Sequence, residues 1–330
     1  MNKKRELTFG EAINEAQIQA MQLNKNVFIT GLQPEKTGNV FGTCKNILKK
    51  FGKKRIFPSP KSEQGVTALA AGASINGLRP IVIHERVDFM AYTFEQFANW
   101  ISLWSFKSAG KSKVPLVIRA MIGKNWGQGP QHGKTLHSSF SYLPGVHVVM
   151  PSSPSEAKGL LLSSIMSDDP VIFLEYRALY NTKEHVDTKP YFIELSCPRK
   201  RLSGDDVTVI AAGAAVLTSI QASKMLEKTN IKIDLFDLRS ITGMKMDLIY
   251  ESVKKTKKVL LVEDGWSKGG YASEIITMIL EKGIKLTCEP KRICWPDSHL
   301  PMSKPLEDNF YFTAQDIFKA CVALSKKNKK

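Results

Sequence analysis

A chain of 330 residues that is 43% hydrophobic and 24% charged can build two cores and lies outside the composition of disordered or collagen-like chains. No apolar run approaches the roughly 18 residues of a membrane span, no apolar signal region follows the basic start Met1-Asn2-Lys3-Lys4-Arg5, and the cysteines 44, 197, 288, 294 and 321 form no CxxC pair. These features argue against a membrane protein, a secreted disulfide framework and a zinc site, and fit a reducing cytoplasm. The net charge of +16 sits in dispersed runs at 49–55, 254–258 and 326–330 with few aromatics between them, the pattern of solvated lysine faces rather than of a nucleic-acid surface.

In chain order, Thr8-Phe9-Gly10-Glu11 reads as a capping box opening a helix to about Leu23. A buried strand is expected at 27–30 and a helix at 44–51. Another helix begins near Glu63 and ends at the C-cap glycine Gly77. The strand 80–83 is followed by a long aromatic-rich helix over 89–106, the strand 116–119 and a glycine-rich loop over 123–133. After a strand at 146–149, Ser153-Pro154-Ser155-Glu156 reads as a second capping box with proline at the first helical position, and its helix leads to a strand at 171–175. Periodicity fades from 180 to 206. Alternation then resumes, with strands at 207–210, 231–237 and 259–263, helices at 215–228, 244–256 and 270–282, and a last helix near 314–324.

Such alternation predicts an α/β protein of two tandem doubly wound domains, with parallel strands covered by helices. The expected boundaries are 1–185, a linker over 186–205, and 206–330. Ligands in these sheets bind beyond the carboxyl ends of strands, so the informative loops surround Glu63, Phe89 and His132. Neither GxxxxGK[ST] nor a strand-linked GxGxxG occurs. An anionic cofactor would need phosphate contacts from elsewhere.

The ordered set Phe57-Pro58-Ser59-Pro60-Lys61-Ser62-Glu63-Gln64-Gly65, Gly77-Leu78-Arg79-Pro80, Gly129-Pro130-Gln131-His132, Leu143-Pro144-Gly145, Asp237-Leu238-Arg239-Ser240 and Val262-Glu263-Asp264-Gly265 resembles the beta chain of pyruvate and branched-chain 2-oxoacid dehydrogenases. The likeness runs from about Leu7 to Phe318. It implies a pyrimidine-binding domain followed by a transketolase C-terminal-like domain. It also implies thiamin diphosphate as cofactor, shared with an alpha subunit that holds the magnesium and the diphosphate, normally in an alpha2beta2 assembly. A small 2-oxoacid would be decarboxylated and its acyl group passed on, in the large complexes to a lipoyl acyltransferase.

The resemblance assigns Glu63 to the pyrimidine ring nitrogen, where its carboxyl would support formation of the cofactor's nucleophile. That role favours a raised pKa in an apolar setting. Taken alone, Glu63 is an ordinary first-turn glutamate favoured by the helix dipole. Phe89 would pack on the aminopyrimidine, although a phenylalanine in such a helix is more commonly core. His132 would act as acid or base near the substrate carbonyl or in acyl transfer. A structural potassium site, built largely from backbone carbonyls, maps onto Leu116, Ser164, Ile165, Ser167 and Asp169, with Ser167 where an acidic residue is expected.

The chain also departs from the pattern. Gly31-Leu32-Gln33 replaces a glycine followed by an acidic pair that is held to connect active sites by proton transfer, and leucine carries no transferable proton. Gly133 stands for a usual serine and Lys61 for an apolar residue. Two other readings compete: a scaffold with a degenerate cofactor site, which Leu32 favours, and half of a split transketolase, which the basic charge permits.

Overall fold

A computed structural model describes residues 5–36, 39–123 and 127–326. Lys124, Asn125 and Trp126 of the glycine-rich loop, and 327–330 of the basic tail, lie outside the described residues. Two compact units form, one from Met1–Ile122 with Ser139–Leu195, the other from Gly123–Ser138 with Ser196–Lys330.

In the first unit Thr8 closes β1 (Glu6–Thr8) and caps the helix Phe9–Leu23. Its hydroxyl accepts from the Glu11 amide and the Glu11 carboxylate accepts from the Thr8 amide, so two otherwise orphaned donors are satisfied as the sequence predicts. Phe9, Ala12, Ile13, Ala16 and Ala20 form the buried stripe, which packs on the helix Pro154–Met166. The strands are β2 (Val27–Gly31), β3 (Ile56–Pro58), β4 (Arg79–His84), β5 (Val117–Ile122), β6 (His147–Val149) and β7 (Val171–Tyr176), in the all-parallel order β3-β2-β4-β5-β7-β6. Every residue of β5 and β7 is buried, as expected of strands covered on both faces. β8 (Lys183–His185) pairs antiparallel with β1.

A charged cluster is sealed inside this unit. Arg119 on β5 donates to both oxygens of Glu175 on β7, at 2.5 and 2.9 Å, and to Gln17 and Thr43, while the Tyr180 hydroxyl donates to Glu175. Arg119 and Glu175 are each 1% exposed. Complete pairing is what makes such burial tolerable.

The second unit holds β9 (Arg199–Leu202), β10 (Val207–Ala211), β11 (Ile233–Asp237), β12 (Val259–Trp266) and β13 (Lys291–Trp295), in the order β13-β12-β10-β11-β9. β10 to β13 are parallel, and β9 joins the β11 edge antiparallel. Val209, Leu235, Leu260 and Val262 share a core with Ile317, Cys321 and Leu324 of the helix Ala314–Lys326.

Several expectations need correction. The helix over 89–106 is broken into Val87–Met90, a tight turn at Ala91–Thr93, Phe94–Gln96, a widened π turn at Phe97–Ile101, and Trp104–Lys107. The Thr93 hydroxyl bonds back to the Met90 carbonyl, the local competition by which Thr disfavours a regular helix. The second capping box does not form: Ser153 makes no capping bond. Glu184 serves this helix start instead, accepting from the Ser155 amide and hydroxyl, while Glu156 is buried. Within 44–51 only Ile47–Phe51 is helical, because Asn46 takes a left-handed conformation at φ 64°. The aperiodic stretch 180–206 carries β8 and β9, both edge strands, where polar and basic side chains break the alternation.

Candidate functional site

In the parallel sheet the chain leaves β2 toward β3 on one side and leaves β4 toward β5 on the other. The connections therefore diverge beyond the carboxyl ends of β2 and β4, and a crevice must open there. A cleft of about 290 Å³ lies at that point. Leu32 follows β2 and Glu85 follows β4. Ser59, Lys61 and Glu63 come from the turn after β3, and Phe89 from the helix Val87–Met90.

Glu63 opens the helix Glu63–Ile75, whose N-cap Ser62 accepts from the Gly65 amide at 3.3 Å. The glutamate is half-buried and faces the cleft beside the apolar Leu32, Val66, Ile83 and Phe89. Phe89 is 39% exposed and lines the cleft, so it is not a core residue. Two lining residues carry shifted acidities. Burial pushes the Glu85 carboxyl up from its ordinary range. Burial also pulls His84 down to about 4, and its Nε2 shares a 3.0 Å hydrogen bond with the Thr67 hydroxyl. His84 is thus uncharged at neutral pH, and Lys61 is the lining residue that carries a positive charge.

Glu63 and Phe89 therefore share one cleft. His132 lies in the other compact unit, half-buried at the end of the short helix Gly129–His132. Gly129 takes φ +64°, and a Cβ there would collide with the Met302 side chain, so this helix starts tight against the segment containing Leu300 and Met302. At Gly133 a Cβ would sit 2.8 Å from Leu300 Cδ2 and 3.1 Å from the Gly129 carbonyl. The missing side chain at this departure from the dehydrogenase pattern is what that packing requires.

The positions assigned to potassium gather around the end of the helix Pro154–Met166 and the starts of β5 and β7, and the carbonyls of Leu116, Ser164, Ile165 and Ser167 already have donors. Arg79 Nη1 donates to Ile165 O at 3.1 Å and to Ser167 O at 2.6 Å, while Leu116 O accepts from the Val171 amide. Ser164 Oγ bonds back to Leu160 O. The exposed Asp169 lies 3.8 Å from His147 Nε2. A guanidinium on two of the oxygens repels a second cation, so this set fits potassium poorly. Among the described residues no group of three or more His, Cys, Asp or Glu side chains could hold a metal ion, and no helix is long and apolar enough to cross a membrane.

Sequence reasoning did not find His84 and Glu85. They end a strand that reads only as an apolar run, and the signal that singles them out is the reversal of strand order, which no local pattern carries.

The pyrimidine-binding domain of transketolase matches residues 5–183, and the transketolase C-terminal domain matches 197–317. The chain belongs to the transketolase family. Within it, the chain is 32% identical over 333 residues to the acetoin:2,6-dichlorophenolindophenol oxidoreductase subunit beta of Bacillus subtilis, covering 97% of each chain. It is 31% identical over 301 residues to pyruvate dehydrogenase E1 component subunit beta of Staphylococcus epidermidis, covering 91% of this chain and 93% of that one, and equally to the Staphylococcus aureus protein. A solved split-gene transketolase, described as an inactive beta4 tetramer, shares the fold with a TM-score of 0.78 at 21% identity, over 98% of this chain and 99% of that one.

Proposed function

We propose that the chain is the beta subunit of a thiamin-diphosphate-dependent 2-oxoacid dehydrogenase, that it holds the pyrimidine half of the cofactor, and that it turns over only with an alpha subunit. One observation carries this reading. The cleft at the strand-order reversal combines a carboxylate, Glu63, with an apolar wall and an aromatic side chain, Phe89, yet among the described residues its cationic lining is Lys61 alone. That lining suits a flat heterocycle with a protonatable ring nitrogen and does not suit a diphosphate. The diphosphate and its magnesium would belong to the partner.

When bound, thiamin diphosphate supplies the nucleophilic carbon that makes decarboxylation of a 2-oxoacid possible. Glu63 would hold a proton at the pyrimidine ring nitrogen, and Phe89, Leu32 and Ile83 would orient the ring and exclude water. His132 would hold or move a proton at the substrate carbonyl.

Exposed apolar surface on the first unit supports the partner. Leu69, Trp100 and Phe106 are 73%, 53% and 87% exposed, and a groove of about 260 Å³ lies among Ala68, Ala71, Gly72, Trp100 and Trp104. Surface of this kind marks association sites, and an alpha2beta2 assembly with a lipoyl acyltransferase as acyl acceptor is the arrangement proposed. Five unpaired cysteines support a cytoplasmic setting. Potassium has the weaker claim, since Arg79 takes its carbonyls.

The test is co-purification with a candidate alpha chain, followed by thiamin-dependent reduction of dichlorophenolindophenol across a panel of 2-oxoacids. The complex is expected to turn over at least one of them, and Glu63→Gln to lose that turnover. A verified complex that binds thiamin diphosphate and is inert toward the whole panel would refute the dehydrogenase reading in favour of a scaffold.

A further inference from the structure

The second unit buries an acid–base pair that the cleft does not use. His137 Nε2 lies 2.7 Å from Glu263 Oε1, with the two residues 2% and 0% exposed. Glu263 lies within the buried stretch of β12. Its carboxylate also accepts from the Tyr271 amide at 3.2 Å and the Ala272 amide at 2.9 Å, the first two amides of the helix Tyr271–Glu281. Each carboxylate oxygen thus takes a backbone amide donor, and the carboxylate acts here as acceptor. The shared proton belongs to His137 Nε2. Among the described residues His137 Nδ1 is buried without a hydrogen-bond partner, and a second N–H there would be an unsatisfied donor.

The surroundings are shaped around this contact. A Cβ on Gly265 would lie 2.6 Å from His137 Cε1, and a Cβ on Gly270 would overlap the Glu263 carboxylate. The Tyr271 ring lies 5.7 Å from the imidazole. His137 lies near the end of the stretch 127–138, five residues after His132. The other end of the stretch is seated on Met302 through Gly127 and Gly129.

We infer that the His137–Glu263 hydrogen bond is a latch that seats the stretch 127–138 on the N-terminal turn of the helix Tyr271–Glu281 and thereby fixes the position of His132. His137 is a positioning residue. The catalytic consequence rests on the acid–base reading of His132; the latch itself does not.

The experiment is hydrogen-exchange mass spectrometry on the full chain, paired with steady-state kinetics of its complex with the alpha chain. Relative to wild type, His137→Leu should speed amide exchange in 127–138 at least about tenfold, the worth of one hydrogen bond to a charged group, and leave β10 to β12 at wild-type rates. His137→Gln, which keeps an N–H donor, should restore most of the protection. In the complex, His137→Leu should lower kcat more than it changes KM, with recovery in His137→Gln. Equal exchange in wild type and His137→Leu overturns the latch, and faster exchange in His137→Leu that leaves kcat untouched overturns the positioning role. Should His137→Leu not fold, wild type decides: 127–138 must exchange as slowly as the buried strands, and exchange at the rate of exposed loops overturns the proposal. His132→Gln serves as the separate control, because wild-type turnover there removes the role of His132 while the exchange result still judges the latch.

Discussion

Acid should destabilise this protein through His84 in particular. The imidazole is buried at the end of β4, with the Thr67 hydroxyl as its hydrogen-bond partner, and burial lowers its pKa from 6.5 to about 4. The folded-state value lies below the unfolded one. Between them the unfolded chain binds a proton that the folded chain refuses, so the stability from this group is complete above pH 6.5 and is lost as the pH falls toward 4. At about 1.4 kcal/mol per pH unit, the gap caps the loss at roughly 3 kcal/mol, with about 2 kcal/mol gone by pH 5. Other groups titrate in the same range, so the measurement is a difference. Urea midpoints of the first unit, followed from pH 8 to pH 4.5, are compared between wild type and His84→Gln, whose amide can still bond Thr67. The variant should lose about 2 kcal/mol less than wild type between pH 8 and pH 5. Parallel pH profiles would refute the reasoning, because they would mean that His84 takes up its proton in the fold without penalty.

Other outcomes follow from the same structure. Glu175→Gln leaves Arg119 charged, 1% exposed and stripped of its anion, and should cost about 3–5 kcal/mol of stability by chemical denaturation. A cost under about 1 kcal/mol would mean that the cluster opens to water in solution. Thr8→Ala should cost about 1 kcal/mol, the worth of a working N-cap. Ser153→Ala, at a helix start where no capping bond is made, should be near neutral in the same assay, and equal effects would contradict the geometry. Exchanging potassium for sodium should leave the melting temperature unchanged, since Arg79 already serves Ile165 O and Ser167 O. A potassium-specific rise would restore the cation site.

Where local chemistry decides the structure, the sequence was readable. Thr8 and Glu11 cap a helix within four residues of each other, and the buried runs of β5 and β7 carry their burial in their composition. It was less readable where distant partners decide. Ser153 has the residues of a capping box, but Glu184, some thirty positions on in the chain, takes over the helix start. β13 at Lys291–Trp295 runs from two basic residues into three apolar ones, without alternation and too briefly to stand out, and β9 exists because β11 offers it an edge. The site divides the same way. Glu63, Phe89 and His132 were reached through motif order. The cleft that unites Glu63 and Phe89 with His84 and Glu85 depends on strand order, and the bond between His137 and Glu263 spans 126 positions.

The central claim is that this chain carries the pyrimidine half of a shared thiamin site. Calorimetric titration of thiamin diphosphate with magnesium, into the chain alone and into its complex with an alpha chain, tests it most directly. The account predicts binding in the complex and at least about tenfold weaker binding after Glu63→Gln, in line with a lost charge-assisted hydrogen bond. No binding to a verified complex, or unaltered binding by Glu63→Gln, would contradict it.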